Sequence, residues 1–341
     1  MSDNYLITGG AGFIGSNYVH RLLARREKVT IYDNLSRAGA PRNLAWLQET
    51  FGNKSFQVVV GDIRDAALLT STARQADVIV HLASQVAVTS SVTNPREDFE
   101  INALGTFNLV EAARLSDRNP AVLYASTNKV YGGMDDVPVV ERATRWEYES
   151  LPEGCAESQP LDFHSPYGCS KGTGDQYVRD YHRIYGLRSV VFRQSCIYGP
   201  RQFGVEDQGW VAWLIIAAQT GRQISIYGDG KQVRDVLFVE DLLDAYDAAL
   251  ARLDDVAGQV YNVGGGPHNT LSIWTEFGPM LEKLLGRSIP VARGDWRPGD
   301  QKVFVADIRK AGRELGWQPK VGVEEGIERL FNWVKDNKSV F

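Results

Sequence analysis

The stretch GGAGFIG at residues 9–15 sets Gly10-x-Gly12-x-x-Gly15 between an apolar run, residues 5–8 (YLIT), and an amphipathic stretch, residues 13–25. Three glycines at a strand-to-helix passage turn the chain sharply, let a pyrophosphate approach the backbone, and leave a helix N-terminus aimed at negative charge. Asp33 ends the next apolar run, 18 residues after Gly15. A carboxylate there accepts from both hydroxyls of an adenosine ribose and repels a 2′-phosphate, so NAD is expected over NADP. Arg37 nearby is the residue that would tolerate the phosphate instead. Gly9, Gly12, Phe13, Ile14 and Gly15 form the expected pyrophosphate cradle, with Asp33, Asn34 and Arg37 around the ribose.

The alternation continues downstream. Residues 5–8, 29–32, 56–60, 78–82 and 122–125 are continuously apolar, as strands covered on both faces of a parallel sheet must be. Helical patterns at 13–25, 43–50, 66–76 and 95–115 lie between them, and a further strand is expected at 189–193. The spacing predicts an α/β, doubly wound parallel (Rossmann) sheet. Residues 141–163, rich in Glu, Pro and Ser, read as a long loop. Beyond about residue 195 the rhythm breaks, and helices at 210–220, 242–252 and 272–285 mix with short strands. The expected organisation is a dinucleotide domain over 1–195 and a smaller, partly interleaved substrate lobe over 196–341.

Composition narrows the function. Net charge is −5 with no long basic run, which argues against nucleic acid or an anionic membrane as partner. No apolar stretch approaches the roughly 20 residues of a membrane span, and the opening MSDNYLITGG shows no secretory pattern. Three cysteines, Cys155, Cys169 and Cys196, suit a reducing cytoplasm, and five scattered histidines give no metal-ligand spacing. A cytoplasmic enzyme without a metal is expected.

The stretch DFHSPYGCSK, residues 162–171, brings in chemistry. Ser165-Pro166 is a helix opening, with serine as N-cap and proline at the first position. Tyr167 and Lys171, four apart, then share a face. A phenol ionises near pH 10, so a base near neutrality requires about 4 kcal/mol of help. An ammonium about 5 Å away at an effective dielectric of about 20 supplies roughly 3 kcal/mol. An oxidised nicotinamide adds a second positive charge.

On these residues the chain resembles the extended short-chain dehydrogenases/reductases, the nucleotide-sugar epimerases and dehydratases. The resemblance rests on GGAGFIG at 9–15, GDIRD at 61–65, HLA at 81–83, STNKVYG at 126–132, Tyr167-x-x-x-Lys171, YGPRQ at 198–202, VRDVLFVEDL at 233–242 and RPGD at 297–300. It implies that Thr127, Tyr167 and Lys171 form the catalytic group. Thr127 would bond the reacting sugar oxygen, Tyr167 take its proton, and Lys171 lower the tyrosine pKa and hold the nicotinamide ribose. Asp62 and Ile63 would flank the adenine. Leu82, Ala83 and Gln85 would line the cofactor, and Asn102 would order the site. NAD would stay tightly bound and be recycled. Relatives pair through two long helices, so a homodimer or homotetramer is implied.

The wording of QPLDFHSPYGCSKG, DQGW at 207–210, GDGKQVRDVL at 228–237 and VFVADIRK at 303–310 is similar to a branch of the family that inverts C2 of CDP-linked 3,6-dideoxyhexoses. A C2–H without an adjacent carbonyl does not leave as a proton, so oxidation and return of hydride is the implied route. The 4,6-dehydratases of the family carry an acid pair after the catalytic threonine; here Asn128-Lys129 stands there and offers no carboxylate base. Asn128 reads as a hexose contact, or as a loop-turn residue. Arg234 and Arg297 match positions that grip a diphosphate, and Asp300 one that holds the nucleotide ribose. Thr89, Ser90, His164, Gln194, Ser195 and Trp210 complete the expected substrate contacts. Cys196 reads as a small packed residue and His81 as core. The alternatives are a UDP-hexose 4-epimerase, a 4,6-dehydratase and a non-catalytic dinucleotide sensor.

Overall fold

The computed structural model describes residues 2–297 and 300–341, so the middle two residues of RPGD lie outside the described residues. The chain divides into two compact units. One holds Met1–Val130, Ser165–Arg193 and Leu243–Tyr261, and the other Tyr131–His164, Gln194–Leu242 and Asn262–Phe341.

The first unit runs β1 (Asn4–Thr8), α1 (Phe13–Ala24), β2 (Lys28–Asp33), α2 (Ala40–Phe51), β3 (Gln57–Val60), α3 (Ala66–Ala73) and β4 (Val78–His81). It continues through α4 (Val88–Thr93), α5 (Pro95–Phe99), a π-helical turn (Glu100–Leu104), α6 (Gly105–Arg114), β5 (Ala121–Thr127) and α7 (Ser165–Tyr185). The strands β6 (Ser189–Gln194) and β7 (Val260–Val263), with α8 (Val239–Ala251) between them, run past the unit's borders. The seven strands form one sheet in the order β7-β6-β5-β4-β1-β2-β3. β1 pairs in parallel with both β2 and β4, in the registers Tyr5–Val29 and Tyr5–Val78. The order reverses between β1 and β4, and a crevice at the carboxyl ends of these two strands is where such sheets bind ligands.

The apolar runs became strands because both faces are covered. Leu6, Ile7, Ile31, Ile79, Val80, Val122, Leu123 and Val190 are fully buried. One face packs on Leu69, Ala73, Leu109, Val110 and Ala113 of α3 and α6, where Tyr124 and Val178 join them.

Three elements differ from the sequence expectation. Residues 95–115 are not one regular helix, because an extra residue enters as the π turn Glu100–Leu104. Residues 272–285 open as the strand Thr270–Ser272, and the helix starts only at Phe277. Ser272 Oγ accepts from the Glu276 amide at 2.9 Å while Glu276 returns the bond to the Ser272 amide at 2.8 Å, and such side-chain bonds compete with helix formation. The loop at 141–163 contains a hairpin strand, Trp146–Tyr148, paired with Val139–Glu141.

In the second unit, Val233–Asp235 lies between Thr270–Ser272 and Val303–Phe304 in a three-stranded sheet. Ile224–Tyr227 pairs with Val291–Gly294. Helices Trp210–Thr220, Phe277–Leu285, Arg309–Leu315 and Val323–Asp336 complete it. No helix among the described residues is long and apolar enough to cross a membrane.

Candidate functional site

The glycine loop leaves β1 and enters α1 with little room for side chains. Gly9 sits at φ 70°, and a Cβ there would come within 2.7 Å of the Ala83 amide nitrogen. A Cβ on Gly15 would collide with the Gly9 carbonyl oxygen. Gly12 caps α1 without any side-chain bond, and the first turn holds no acidic residue. The amides of Phe13 and Ile14 therefore head a helix whose positive end nothing anionic on that turn neutralises. Asp33 is buried at the end of β2, accepting from Ala11 N at 3.0 Å and Leu35 N at 2.8 Å. Burial pushes its carboxyl above the usual range, and the two amides oppose that shift. A carboxylate has about four acceptor sites, so capacity remains for two ribose hydroxyls. These features fit a dinucleotide.

Around this loop, Asn34 Nδ2 donates to Asp62 at 3.1 Å, and Arg64 holds the Asp62 carboxyl down to about 2. Ile63 is buried beneath Gly105. Arg37 is exposed. After β4, the amides of Leu82 and Ala83 donate to Thr8 Oγ1 at 3.2 and 3.3 Å, which ties that loop to the end of β1. Asn102, inside the π turn, fastens the next residues. Its Oδ1 accepts from Gln85 N at 2.9 Å and Ser84 Oγ at 2.8 Å, and its Nδ2 donates to Gln85 O at 2.9 Å.

Thr127 ends β5, and Tyr167 and Lys171 stand on the first turns of α7. Ser165 caps that helix, its Oγ accepting from Gly168 N at 3.2 Å with φ at 64°. All three reactive side chains are buried. Tyr167 and Thr127 share a hydrogen bond, and Thr127 Oγ1 also donates to Asn128 Oδ1 at 3.3 Å. The expected acidification of Tyr167 by Lys171 is corrected here. Burial pushes the phenol up to about 12, Thr127 opposes this, and Asp98 adds to it. The Lys171 ammonium is turned to the Ala125 carbonyl at 2.6 Å and lies over the Tyr124 ring, 4.5 Å from its centre. Burial brings Lys171 down to about 7, with Asp175 and Asp98 opposing. The i,i+4 spacing put both groups on one face, but their depth in the fold dominates both ionisations.

The sequence reading missed the polar ground beneath this pair. Asp175, one turn beyond Lys171, is fully buried and receives Arg193 of β6 through two bonds of 2.9 and 3.0 Å. Ser126 Oγ adds a third at 2.8 Å. Asp98 accepts from Ser170 Oγ at 2.6 Å. The signal for Asp175 was its position four after Lys171 on the same helix face; Asp98 left none. His81 is core, as expected, held between Thr8 Oγ1 at 2.7 Å and Thr106 Oγ1 at 3.1 Å.

The expected substrate contacts divide between the units. Thr89, Ser90 and Asn128 belong to the first, with Thr89 and Ser90 exposed on α4. His164, Gln194, Ser195, Trp210, Arg234, Arg297 and Asp300 belong to the second. Arg234 and Asp300, expected on different parts of a nucleotide, bond each other at 2.7 Å. Arg297 stacks over the Tyr227 ring at 4.0 Å and pairs with Asp207 at 3.2 Å. Trp210 is half-buried, edge-on to Phe277 at 5.5 Å. His164 is exposed and bonds Asp162 at 2.9 Å. Ser195 is corrected: it is fully buried, and its hydroxyl donates to Asp235 at 2.5 Å, so it points into structure rather than toward a ligand. Cys196 is partly buried, at φ 33°. Among the described residues, no group of three His, Cys, Asp or Glu side chains could hold a metal ion.

Comparison with known proteins agrees with this geometry. The family described as GDP-mannose 4,6 dehydratase matches residues 6–330. CDP-paratose 2-epimerase of Salmonella typhi is 45% identical over 96% of this chain and 98% of its own length. A putative UDP-glucose 4-epimerase of Methanocaldococcus jannaschii is 33% identical, covering 97% of this chain and 98% of the relative. The crystal structure of a dTDP-glucose 4,6-dehydratase from Streptomyces venezuelae with NAD bound has a TM-score of 0.82 at 32% identity, covering 98% of each chain. Epimerases and dehydratases thus share one scaffold, and with a match spanning nearly all of its length the chain belongs to the GDP-mannose 4,6 dehydratase family of extended short-chain dehydrogenases/reductases.

Proposed function

We propose that this protein is an NAD-dependent epimerase, an isomerase that inverts C2 of a CDP-linked 3,6-dideoxyhexose and so interconverts CDP-paratose and CDP-tyvelose. The observation that carries the reading is the pair after Thr127. Asn128 accepts from Thr127 Oγ1, so an amide stands where elimination of water would require a carboxylate base. The 45% identity to a CDP-paratose 2-epimerase supports the same choice over a dehydratase.

When bound, NAD would supply a hydride acceptor and donor at C2 and, while oxidised, a positive charge. Gly9, Gly12, Phe13, Ile14 and Gly15 would hold its pyrophosphate, and Asp33 its adenosine ribose. Tyr167 takes the C2 hydroxyl proton and later returns it. Thr127 bonds the same oxygen and orients it. Lys171 would hold the nicotinamide ribose. Burial of the pair excludes water, which would otherwise compete for that proton. Arg234, Arg297 and Asp300 are the proposed anchors of the CDP moiety, and Thr89, Ser90, Asn128, His164, Gln194 and Trp210 the remaining sugar contacts.

Association of two or four copies is part of the reading. Phe99, Phe107, Tyr177, Ile184 and Tyr185 are exposed on α5, α6 and α7, and apolar surface of this kind favours pairing. A cytoplasmic setting suits the three thiols, none of which is in a disulfide.

The test is turnover of a CDP-sugar panel in heavy water. Inversion at C2 without solvent deuterium in the product is expected. Deuterium at C6 with loss of water would establish dehydration instead, and inversion at C4 of a UDP-hexose would establish the other epimerase chemistry.

A further inference from the structure

The carboxylate of Asp98 takes no part in the steps above, yet it is 1% exposed beneath them. Its Oδ2 accepts from Ser170 Oγ at 2.6 Å. Its Oδ1 accepts from Gln85 Nε2 at 2.8 Å and Asn102 Nδ2 at 3.1 Å. All three donors are neutral, and a buried anion held only by neutral groups is costly. Asp175, the other buried carboxylate near the pair, already has Arg193. Ser170 lies three residues after Tyr167 and one before Lys171, so the anion is fastened to the turn that carries the pair.

Other charged and titratable groups lie on α7 and on the elements packed against it: Glu97 of α5 binds Asn94, and Arg179, Asp180, His182 and Arg183 stand farther along α7. Asp175 comes from α7 itself, Tyr124 from β5, His81 from β4 and Arg193 from β6. Glu100 of the π turn pairs with Arg96, and Glu111 of α6 binds Arg114 and Tyr181. The sequence of α4, VTSSVT, contains no ionisable side chain.

We infer that Asp98 is a positioning residue of the Tyr167–Lys171 pair: a buried anion, fastened through Ser170, that sets how many protons the pair holds in the working pH range. The inference rests on the epimerase reading, in which this pair moves the hydroxyl proton. The negative charge strengthens the hold on both protons, opposing loss of the ammonium proton and formation of the phenolate. Its removal moves both ionisations to lower pH. A nearby unit charge of this kind shifts an ionisation by about one pH unit or more.

The test is the kcat–pH profile of NAD-loaded D98N on the CDP-sugar. An asparagine keeps the geometry, with its oxygen accepting from Gln85 and Asn102 and its amide donating to Ser170 Oγ. Both limbs of the profile are expected about one unit lower, with the melting transition retained. A fall in kcat at unmoved limbs would reduce Asp98 to a structural residue and overturn the inference. If D98N does not melt cooperatively, D98E decides: it keeps the charge, so limbs at wild-type positions uphold the inference and displaced limbs overturn it. The phenol is also followed without sugar, as the phenolate absorbance of each NAD-loaded chain minus that of its Y167F counterpart. A wild-type enzyme inert on CDP-sugars rejects the epimerase reading alone. A phenolate titration unmoved by D98N rejects the role of Asp98.

Discussion

The ε-nitrogen of Lys171 donates to the carbonyl oxygen of Ala125 at 2.6 Å, one residue before the strand end that carries Ser126 and Thr127. The lysine is thereby clamped to the floor of the site. With Lys171 brought down to about 7 and Tyr167 pushed up to about 12, the pair holds a single proton across the interval between.

That proton count fixes the pH dependence. Below about 7 the pair carries two protons and has no site for the substrate proton, so kcat is expected to rise as pH increases through about 7. A bound nicotinamide cation moves this limb lower, never higher. The alkaline limb lies well above it, where the last proton leaves. Steady-state kinetics across pH on the NAD-loaded enzyme measures both limbs, and an acid limb above pH 8 would contradict the assignment.

Y167F removes the proton acceptor and leaves the glycine loop untouched. Turnover is expected to fall by about 10²–10⁴-fold, with NAD content of the purified protein unchanged. Thr127→Val removes the hydroxyl that bonds Tyr167 and is expected to raise the phenol's ionisation further, since that bond lowers it. Assay of the two variants beside bound-NAD quantification separates chemistry from binding.

G15A drives a Cβ into the Gly9 carbonyl oxygen and to within 2.7 Å of Gly10 Cα. The loop must open, and loss of about 1.4 kcal/mol or more in NAD binding corresponds to tenfold or more in Kd. Fluorescence titration with NAD reads this directly. Wild-type affinity in the variant would show that the loop is not the pyrophosphate cradle.

Removing one member of the Asp175–Arg193 pair leaves the other buried and unpaired. R193M is expected to lower stability by about 3–5 kcal/mol, measured by urea unfolding. Ser126 also bonds Asp175, so the floor beneath Thr127 should loosen and kcat fall with it.

His81 is fully buried and neutral between two threonine hydroxyls, and burial brings its pKa down to about 3. Unfolded histidine titrates near 6.5, so below that pH the unfolded chain binds a proton that the folded chain refuses. Stability from this residue is therefore complete above about 6.5 and is lost as pH falls toward 3, by about 1.4 kcal/mol per pH unit. Thermal melting from pH 7 to 5 should show a steeper loss in wild type than in H81Q.

Much of this was written locally. Continuous apolar runs gave β1 to β6 to within one or two residues, because strands buried on both faces tolerate little else. The glycine loop and Asp33 were readable because backbone clearance and a single carboxylate are one-residue requirements. The interruption of 95–115 by a π turn was not readable, since one extra residue in a helix leaves the apolar period almost unchanged. The hairpin strand Trp146–Tyr148 was hidden because it lies inside the Glu-, Pro- and Ser-rich segment 141–163 that signals a loop, while its partner Val139–Glu141 precedes it.

By itself the sequence determined the parallel strands, the dinucleotide fingerprint and the i,i+4 placing of Tyr167 and Lys171 on one helix face, since each follows from spacing within one or two adjacent elements; Thr127 entered only through the family resemblance. Only the tertiary structure decided the ionisation of Tyr167 and Lys171. Asp98, Asp175 and Arg193 reach the pair from α5, α7 and β6, and the depth at which these elements bury it outweighs the lysine four residues from the tyrosine. Charges act through space and desolvation through burial, and neither is a property of a neighbouring position in the chain.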